Sequence, residues 1–268
     1  MTRIAVLQMT SGIDPDANAA ALTDAVGRAA EGGAAMLFTP EMSGLLDRDR
    51  ARAAAHIVAE SENPVLAAVR SAAGERGIWV ALGSLAVKRE DGRWANRSLL
   101  IDDRGGIVAH YDKIHMFDVE LSGGETWRES AAYAPGQEVV VAETPVGRLG
   151  LTVCYDVRFP ALFEELGRQS CDVIAIPAAF TVPTGEVHWL PLLQARAIES
   201  LVYVVAAGQT GEHAGGRKTY GHSLILGPWG ELLAERASGP GVVCADLDMI
   251  RLGELRQRFP AIQHRREL

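Results

Sequence analysis

Apolar residues along the chain fall in short, nearly continuous blocks, separated by longer stretches in which they recur with a helical period. Blocks at 4–8, 36–38, 79–82, 98–101, 149–154, 173–176, 203–207, 223–226 and 242–246 are rich in Val, Ile and Leu, the signature of strands buried between layers. Between them, residues 17–30 read as an amphipathic helix that follows the candidate cap Asp16 and stops at Gly32-Gly33. Asn63-Pro64 opens a second helix, with Asn as cap and Pro in the first turn. Residues 160–169 and 188–200 supply two more. Strand–helix alternation over most of the chain predicts an α/β protein with helices on the sheet faces. By itself this pattern fits one doubly wound sheet. No linker, low-complexity tract or short-period repeat interrupts it. One domain spanning 1–250 is expected, followed by a helix and tail at 251–268. The tail carries Arg251, Arg256, Arg258, Arg265 and Arg266, either as a solvated face or packed on the domain or a partner subunit.

Composition narrows the function classes. With 268 residues, 48% of them hydrophobic and 22% charged, the chain can bury a core without disulfides or a structural metal. Lys and Arg total 26 against 34 Asp and Glu, a net charge of −8. A surface built for nucleic acid or anionic lipid is therefore disfavoured, although a local cationic pocket stays open. No block approaches the ~20 apolar residues of a membrane span. The first residues enter a strand pattern at once, with no leader-like segment. The three cysteines, Cys154, Cys171 and Cys244, form no disulfide framework and point to a reducing cytoplasm.

Several chemical motifs are absent, among them Gly-x-Ser-x-Gly, Cys-x-x-Cys and His-Glu-x-x-His. Gly211 and Gly216 have P-loop spacing, but Arg217 stands where the lysine belongs. Three segments carry more. An apolar strand delivers Pro40-Glu41 just past its end; Tyr111-Asp112-Lys113-Ile114-His115 places a lysine among aromatic and polar groups; and a strand at 149–154 closes on Cys154 ahead of Pro160. Ligands in open α/β sheets bind at the carboxyl ends of strands, where these three residues could converge. A carboxylate can take the thiol proton, and an ammonium can hold the oxyanion formed when sulfur attacks a carbonyl. The backbone N–H of Tyr155 would be a second oxyanion donor. The reaction such a trio supports is amide or nitrile hydrolysis through an acyl-enzyme. Each residue also has a plainer role: Cys154 as a small buried hydrophobe, Glu41 as a loop acid and Lys113 as a surface cation.

These segments, in this order, closely resemble the nitrilase superfamily of carbon–nitrogen hydrolases, and the likeness runs from Ile4 to Arg266. The resemblance implies a four-layer α-β-β-α sandwich, usually paired into a homodimer, and a cofactor-free enzyme that uses no metal. It assigns Glu41 as general base, Lys113 to oxyanion stabilisation or proton donation, and Cys154 as nucleophile. A supporting acid after the lysine falls on Glu120, with Asp118 close by. Segments around Ala178-Ala179-Phe180, 184–189 and Tyr220-Gly221-His222 are most similar to the branch holding deaminated glutathione amidase and omega-amidase. An amide of an α-keto dicarboxylate skeleton is the implied substrate, with nitriles or N-carbamoyl amino acids as alternatives. Such a substrate needs a cationic anchor. Arg158 is the candidate, unless it merely pairs with Asp156, and His188 and Trp189 are further substrate-binding candidates. Met116-Phe117 and Ser122-Gly123-Gly124 depart from the branch near the expected substrate entrance. A catalytically silent interaction module is the reading from a different class. If Cys154 is the nucleophile, an exposed low-pKa thiol would also be open to oxidation.

Overall fold

The computed structural model describes residues 1–120 and 126–266. In chain order the strands are β1 (Thr2–Gln8), β2 (Met36–Phe38), β3 (Trp79–Lys88), β4 (Trp94–Ile101), β5 (Ile107–Asp112), β6 (Asp118–Glu120), β7 (Thr126–Arg128) and β8 (Val141–Thr144). They continue with β9 (Gly147–Leu151), β10 (Val173–Ala175), β11 (Tyr203–Ala206), β12 (Thr210–Glu212), β13 (Lys218–Tyr220), β14 (Ser223–Leu226), β15 (Leu232–Arg236) and β16 (Gly241–Leu247). The α-helices are α1 (Pro15–Glu31), α2 (Arg50–Ala54), α3 (Pro64–Arg76), α4 (Pro160–Arg168), α5 (Val182–Ser200) and α6 (Met249–Arg258).

Two six-stranded sheets, not one, form the centre. Their orders are β16-β1-β2-β3-β4-β5 and β15-β14-β11-β10-β9-β8, with β6-β7 and β12-β13 as separate hairpins. In the first, β1, β2 and β3 are parallel and the remaining pairs antiparallel; in the second, β9, β10 and β11 repeat that arrangement. The alternation of β1 shows why two sheets are needed. Ile4 and Val6 join Phe38, Leu149 and Val173 between the sheets, while Ala5 and Leu7 pack with Leu22 of α1 and Val69 of α3. Both faces of the strand are thus apolar because each meets a different layer. Helices α4 and α5 cover the far side of the second sheet, burying Phe163, Leu166, Trp189 and Leu193. Each such side chain contributes about 1.5–3 kcal/mol. The result is the four-layer sandwich implied by the resemblance, and the single doubly wound sheet is set aside.

Local differences have local causes. The cap of α1 is Asp14, whose carboxylate accepts from Asp16 N and Ala17 N, because Pro15 takes the first helical position. Asn63 caps α3 as expected, accepting from Leu66 N at 3.0 Å. Helix α5 begins six residues before the expected 188, since Pro183 suits a first turn and only reads as a breaker. The apolar block at 149–154 stops pairing at Leu151, and Cys154 instead opens a 3-10 turn. The C-terminal segment is tied to the loop before β10 and to the helices on the second sheet: Arg256 pairs with Asp172 at 2.7 Å, and Arg265 donates to the carbonyls of Glu164 in α4 and Glu199 in α5.

Candidate active site

Strands β2, β5 and β9 all end on the same edge of the sandwich. Glu41 follows β2, Lys113 follows β5 and Cys154 follows β9, so the three expected residues meet there, all buried. The loop carrying Glu41 is pinned to a bulge in β3. Gly83 N donates to Thr39 Oγ1 at 2.9 Å, Ser43 N to Ser84 O at 2.9 Å and Met42 N to Ser84 Oγ at 2.9 Å. Gly83 is there because the backbones touch: a Cβ at this position would lie 1.9 Å from Thr39 O. From the segment between β11 and β12, Gln209 Nε2 donates to the Glu41 carbonyl at 2.9 Å.

The cysteine turn is equally constrained. Cys154 has φ of +51°, a left-handed conformation that costs a non-glycine residue roughly 1–3 kcal/mol. It is held by its own N–H, which donates to Pro177 O at 2.8 Å. Buried Asp156 ties this turn to the lysine segment. Its Oδ2 accepts from Tyr111 OH at 2.7 Å and Val153 N at 2.8 Å, and its Oδ1 accepts from His115 N at 3.0 Å and contacts His115 Nδ1 at 2.7 Å. Arg158 is therefore not paired with Asp156. It donates to His188 Nδ1 at 3.2 Å and lies over the Tyr155 and Phe180 rings, on the cavity wall.

Lys113 is 2% exposed and sits between two carboxylates. Its Nζ is 3.0 Å from Glu41 Oε1 and 3.1 and 2.8 Å from the two oxygens of Glu129. Asn96, near the start of antiparallel β4, donates to both glutamates, at 2.9 and 3.1 Å. Glu41 Oε2 accepts from Ala179 N at 2.9 Å, and the Cys154 thiol is a close electrostatic neighbour of the same carboxylate. Burial works against the charge on Glu41, but Lys113, the thiol and Arg217 outweigh it and hold the carboxyl below its ordinary range. Burial likewise opposes the Lys113 charge, yet Glu129 and Glu41 hold it well above the usual value. The Cys154 thiol is pushed up, first by burial and then by Glu41. Cys154 is thus a neutral thiol beside an ionised acid, and not an exposed low-pKa thiol of the kind that oxidation would favour. Thiol attack in this setting requires Glu41 to accept the proton as the sulfur–carbon bond forms.

Three expectations are corrected. Glu120 lies on β6 with its side chain 71% exposed and pairs with Arg128. Asp118 also turns outward, bonded to Ser130 N at 3.0 Å. The acid beside Lys113 is Glu129, from the 3-10 turn after β7, which also accepts from Phe117 N at 2.7 Å. Trp189 is not on the cavity wall. It faces the core at i−4 from Leu193, donates to His222 O at 2.8 Å and packs behind Phe180. His188, on the exposed side of α5, reaches the site only through Arg158. Ser122, Gly123 and Gly124 lie outside the described residues; Phe117 lines the cavity.

The cavity holds about 350 Å³, with Cys154, Glu41 and Lys113 at its base. Aromatic walls come from Phe117, Trp127, Tyr155 and Phe180, and Arg48, Arg158 and Arg217 line it as well. Arg217, set aside in the P-loop comparison, donates to Ala179 O at 2.6 Å. Among the described residues, no group of three or more His, Cys, Asp or Glu side chains is placed to hold a metal ion, and no helix is long and apolar enough to cross a membrane.

Comparison with known proteins agrees with this architecture. The deaminated glutathione amidase of Yersinia enterocolitica is 38% identical over 98% of this chain and 92% of its own length. The NitFhit protein of C. elegans superimposes with a TM-score of 0.92 at 36% identity, covering 99% of this chain and 65% of that one. An amidase from Nesterenkonia sp. AN1, solved with acrylamide added at its active-site cysteine, matches with a TM-score of 0.81 at 29% identity over 97% of this chain and 98% of that chain. The family model for carbon–nitrogen hydrolase matches residues 3–257. With the sandwich, the buried thiol–carboxylate–ammonium cluster and this match over nearly its whole length, the chain belongs to the carbon–nitrogen hydrolase family.

Proposed function

We propose that this enzyme is an amidase that cleaves the amide of an α-keto dicarboxylate skeleton, deaminated glutathione in the first place, with Cys154 as nucleophile, Glu41 as general base and Lys113 as oxyanion holder. The observation that carries the reading is the buried cluster of Cys154, Glu41, Lys113 and Glu129 at the base of an arginine-lined cavity. The name of the Yersinia relative supports the substrate.

The chemistry follows from the contacts. Cys154 Sγ bonds to the amide carbon as its proton passes to Glu41, and the carbonyl oxygen becomes an oxyanion. Lys113 Nζ is one donor to that oxyanion and Tyr155 N–H the other, since Cys154 N–H is engaged by Pro177 O. The intermediate collapses as the carbon–nitrogen bond breaks, and protonated Glu41 delivers its proton to the departing amine. Water then attacks the thioester, with Glu41 taking its proton, and the carbon–sulfur bond breaks to return the thiol and a carboxylate product. Glu129 holds Lys113 throughout without itself exchanging a proton. Arg158 anchors the carboxylate of the acyl half, supported by its place over Tyr155 and Phe180.

We also read the working form as a cytoplasmic homodimer without nucleic-acid or membrane partners. Support for pairing comes from α5, where Val187, Leu190 and Ile198 form an exposed apolar stripe, and from the nearby exposed Trp229 and Phe259, whose rings touch at 5.5 Å. The deciding experiment measures product release from deaminated glutathione, α-ketoglutaramate, a simple nitrile and an N-carbamoyl amino acid, with Cys154→Ala as control. Turnover of the first, a trapped thioester on Cys154 by mass spectrometry and a silent Cys154→Ala are expected. Turnover by Cys154→Ala would sink the mechanism, and exclusive use of the nitrile or carbamoyl substrate would sink the specificity.

A further inference from the structure

Met42, the residue after the proposed base, has φ of +56°, a left-handed conformation that a side-chain-bearing residue seldom adopts. Such a turn persists only if its surroundings hold it, and the peptide between Glu41 and Met42 is gripped at both polar atoms. Met42 N donates to Ser84 Oγ in β3, and Glu41 O accepts from Gln209 Nε2. The first grip comes from the sheet that carries the base. The second comes from outside it.

Gln209 is buried and engages every polar group it has. Its side-chain NH2 donates to Glu41 O at 2.9 Å and to Ser11 Oγ at 2.6 Å, and its Oε1 accepts from Ser11 N at 2.9 Å. Its main-chain N donates to Ala178 O at 2.8 Å, and its carbonyl accepts from Gly221 N at 3.0 Å. The Ala178 contact reaches the base a second time, because the next residue, Ala179, gives its N–H to Glu41 Oε2 at 2.9 Å. Ser11 is fixed in turn. Its Oγ donates to Ser43 O at 3.2 Å, on the Glu41 loop, and its carbonyl accepts from His213 Nδ1 at 2.9 Å. That carbonyl can only accept, so Nδ1 carries the proton and Nε2 accepts from Thr219 Oγ1 at 2.7 Å. Ser11, Ser43, His213 and Thr219 are all buried, and a fully paired network at low dielectric is stiff.

We propose that Gln209 is a positioning residue for the base: it clasps Glu41 directly at the carbonyl and, through Ala178-Ala179, at the carboxylate, and so aims that carboxylate at the Cys154 thiol. The inference rests on the amidase reading above, in which Glu41 takes the thiol proton as sulfur attacks. Transfer at that moment needs hydrogen-bond reach, and a displacement of about 1 Å can cost roughly 10²-fold in rate. Gln209 does not line the cavity, so its work shows in turnover and not in substrate binding.

The test sets Gln209→Met beside wild type on whichever amide of the panel is turned over. This variant keeps the length and the main-chain contacts but offers no N–H to Glu41 O. Its kcat should fall about 10- to 100-fold while KM stays within about threefold. The acid limb of kcat/KM should rise by about 0.5–1 pH unit, because a carboxylate drawn away from Lys113 and Ala179 N is less well held. Lys113, Cys154 and Arg217, the ionisable groups that act on Glu41, are unchanged in the variant. Alkylation of Cys154 by iodoacetamide at neutral pH needs no substrate and should slow about 5- to 50-fold, yet slow by less than about twofold when Gln209→Met is added to Glu41→Gln, since the clasp acts through that carboxylate. Leu22→Ala, a truncation in the outer core under α1, controls for general loosening and should keep kcat within about twofold. If Gln209→Met does not fold, Ser11→Ala removes one acceptor of the amide and should cost kcat about 3- to 10-fold. A kcat within about twofold of wild type in the variant that folds, a loss confined to KM, an equal loss in Leu22→Ala, or an alkylation defect undiminished in Glu41→Gln overturns the clasp while the amidase reading stands. If wild type turns over no amide, the amidase reading falls and the clasp falls with it.

Discussion

Glu129 is the residue by which the geometry of the site can be tested most sharply. Its two carboxylate oxygens accept four hydrogen bonds from three groups: Asn96 Nδ2 and Lys113 Nζ on Oε1, Lys113 Nζ and Phe117 N on Oε2. Glu129→Gln preserves shape but leaves one oxygen. If that oxygen keeps the Asn96 side, the new NH2 faces Phe117 N–H and the closer Lys113 contact, so donors meet donors. The reverse orientation exposes Asn96 and Lys113 to the same conflict. Two hydrogen bonds to a charged acceptor are lost either way, each worth about 1.5–3 kcal/mol. Part of the loss falls on the folded state and part on the ability of Lys113 to hold an oxyanion. The expectation is a stability decrease of about 1–3 kcal/mol, a Tm lowered by about 3–9 °C, and a kcat reduced by about 10- to 100-fold. Steady-state amine release, measured at least 10 °C below the variant's own Tm, separates lost chemistry from lost fold. Glu120→Gln, on the exposed hairpin, should stay within about twofold of wild type. A Glu129→Gln enzyme with kcat within threefold of wild type and an unchanged Tm would refute the reasoning.

Three further outcomes are expected. Asp156→Asn removes the carboxylate that joins the lysine segment to the cysteine turn, and kcat should fall by more than about 30-fold with KM changed far less; equal loss in both parameters would count against a positioning role. Gly83→Ala drives a methyl group into the Thr39 carbonyl, so thermal melting should show a loss of about 3 kcal/mol, and a neutral result would contradict the pinned-loop account. Burial lowers the pKa of His213 below its ordinary 6.5, so its folding contribution is full above that value and fades as pH falls below it. The depressed Glu41 acts in the same sense at more acidic pH, its contribution disappearing as pH falls through its folded value. Tm should therefore decline from pH 7.5 to 5.5, and His213→Gln should flatten that decline; parallel curves for the two proteins would rule His213 out as the cause.

Much of this was legible in the sequence because strand ends are marked by their own residues. Pro40-Glu41, Lys113 and Cys154 each follow an apolar run, and their convergence needs only that the runs be parallel neighbours or stacked partners. The number of sheets was not legible from periodicity, since a strand between two helical layers and a strand between a helix layer and a second sheet are apolar on both faces alike. Glu129 escaped because its segment, Thr126-Trp127-Arg128-Glu129-Ser130, alternates like a surface hairpin. A signal did exist in charge arithmetic: a lysine buried with one glutamate leaves that glutamate too strongly held to act as a base, and a second acid nearby was required. Glu120 was the acid that the resemblance assigned there, yet the hairpin turns it outward. Arg217 was read against the wrong template, as a failed phosphate-loop lysine, and its place on the cavity wall depends on Ala179 and Trp127, which are distant in sequence.

Cys154, the proposed nucleophile, hangs from one sheet, while Glu41 and Lys113 hang from the other. No loop sets the distance between sulfur and carboxylate alone; the thickness of the filling between the sheets sets it. Phe38, Val153 and Leu149, none of them chemical, act as the spacer against which the reacting atoms are gauged. A lineage can therefore tune or ruin its catalytic rate through interior side-chain volume while every residue that touches the substrate stays the same. Drift in the core of this enzyme is drift in its chemistry.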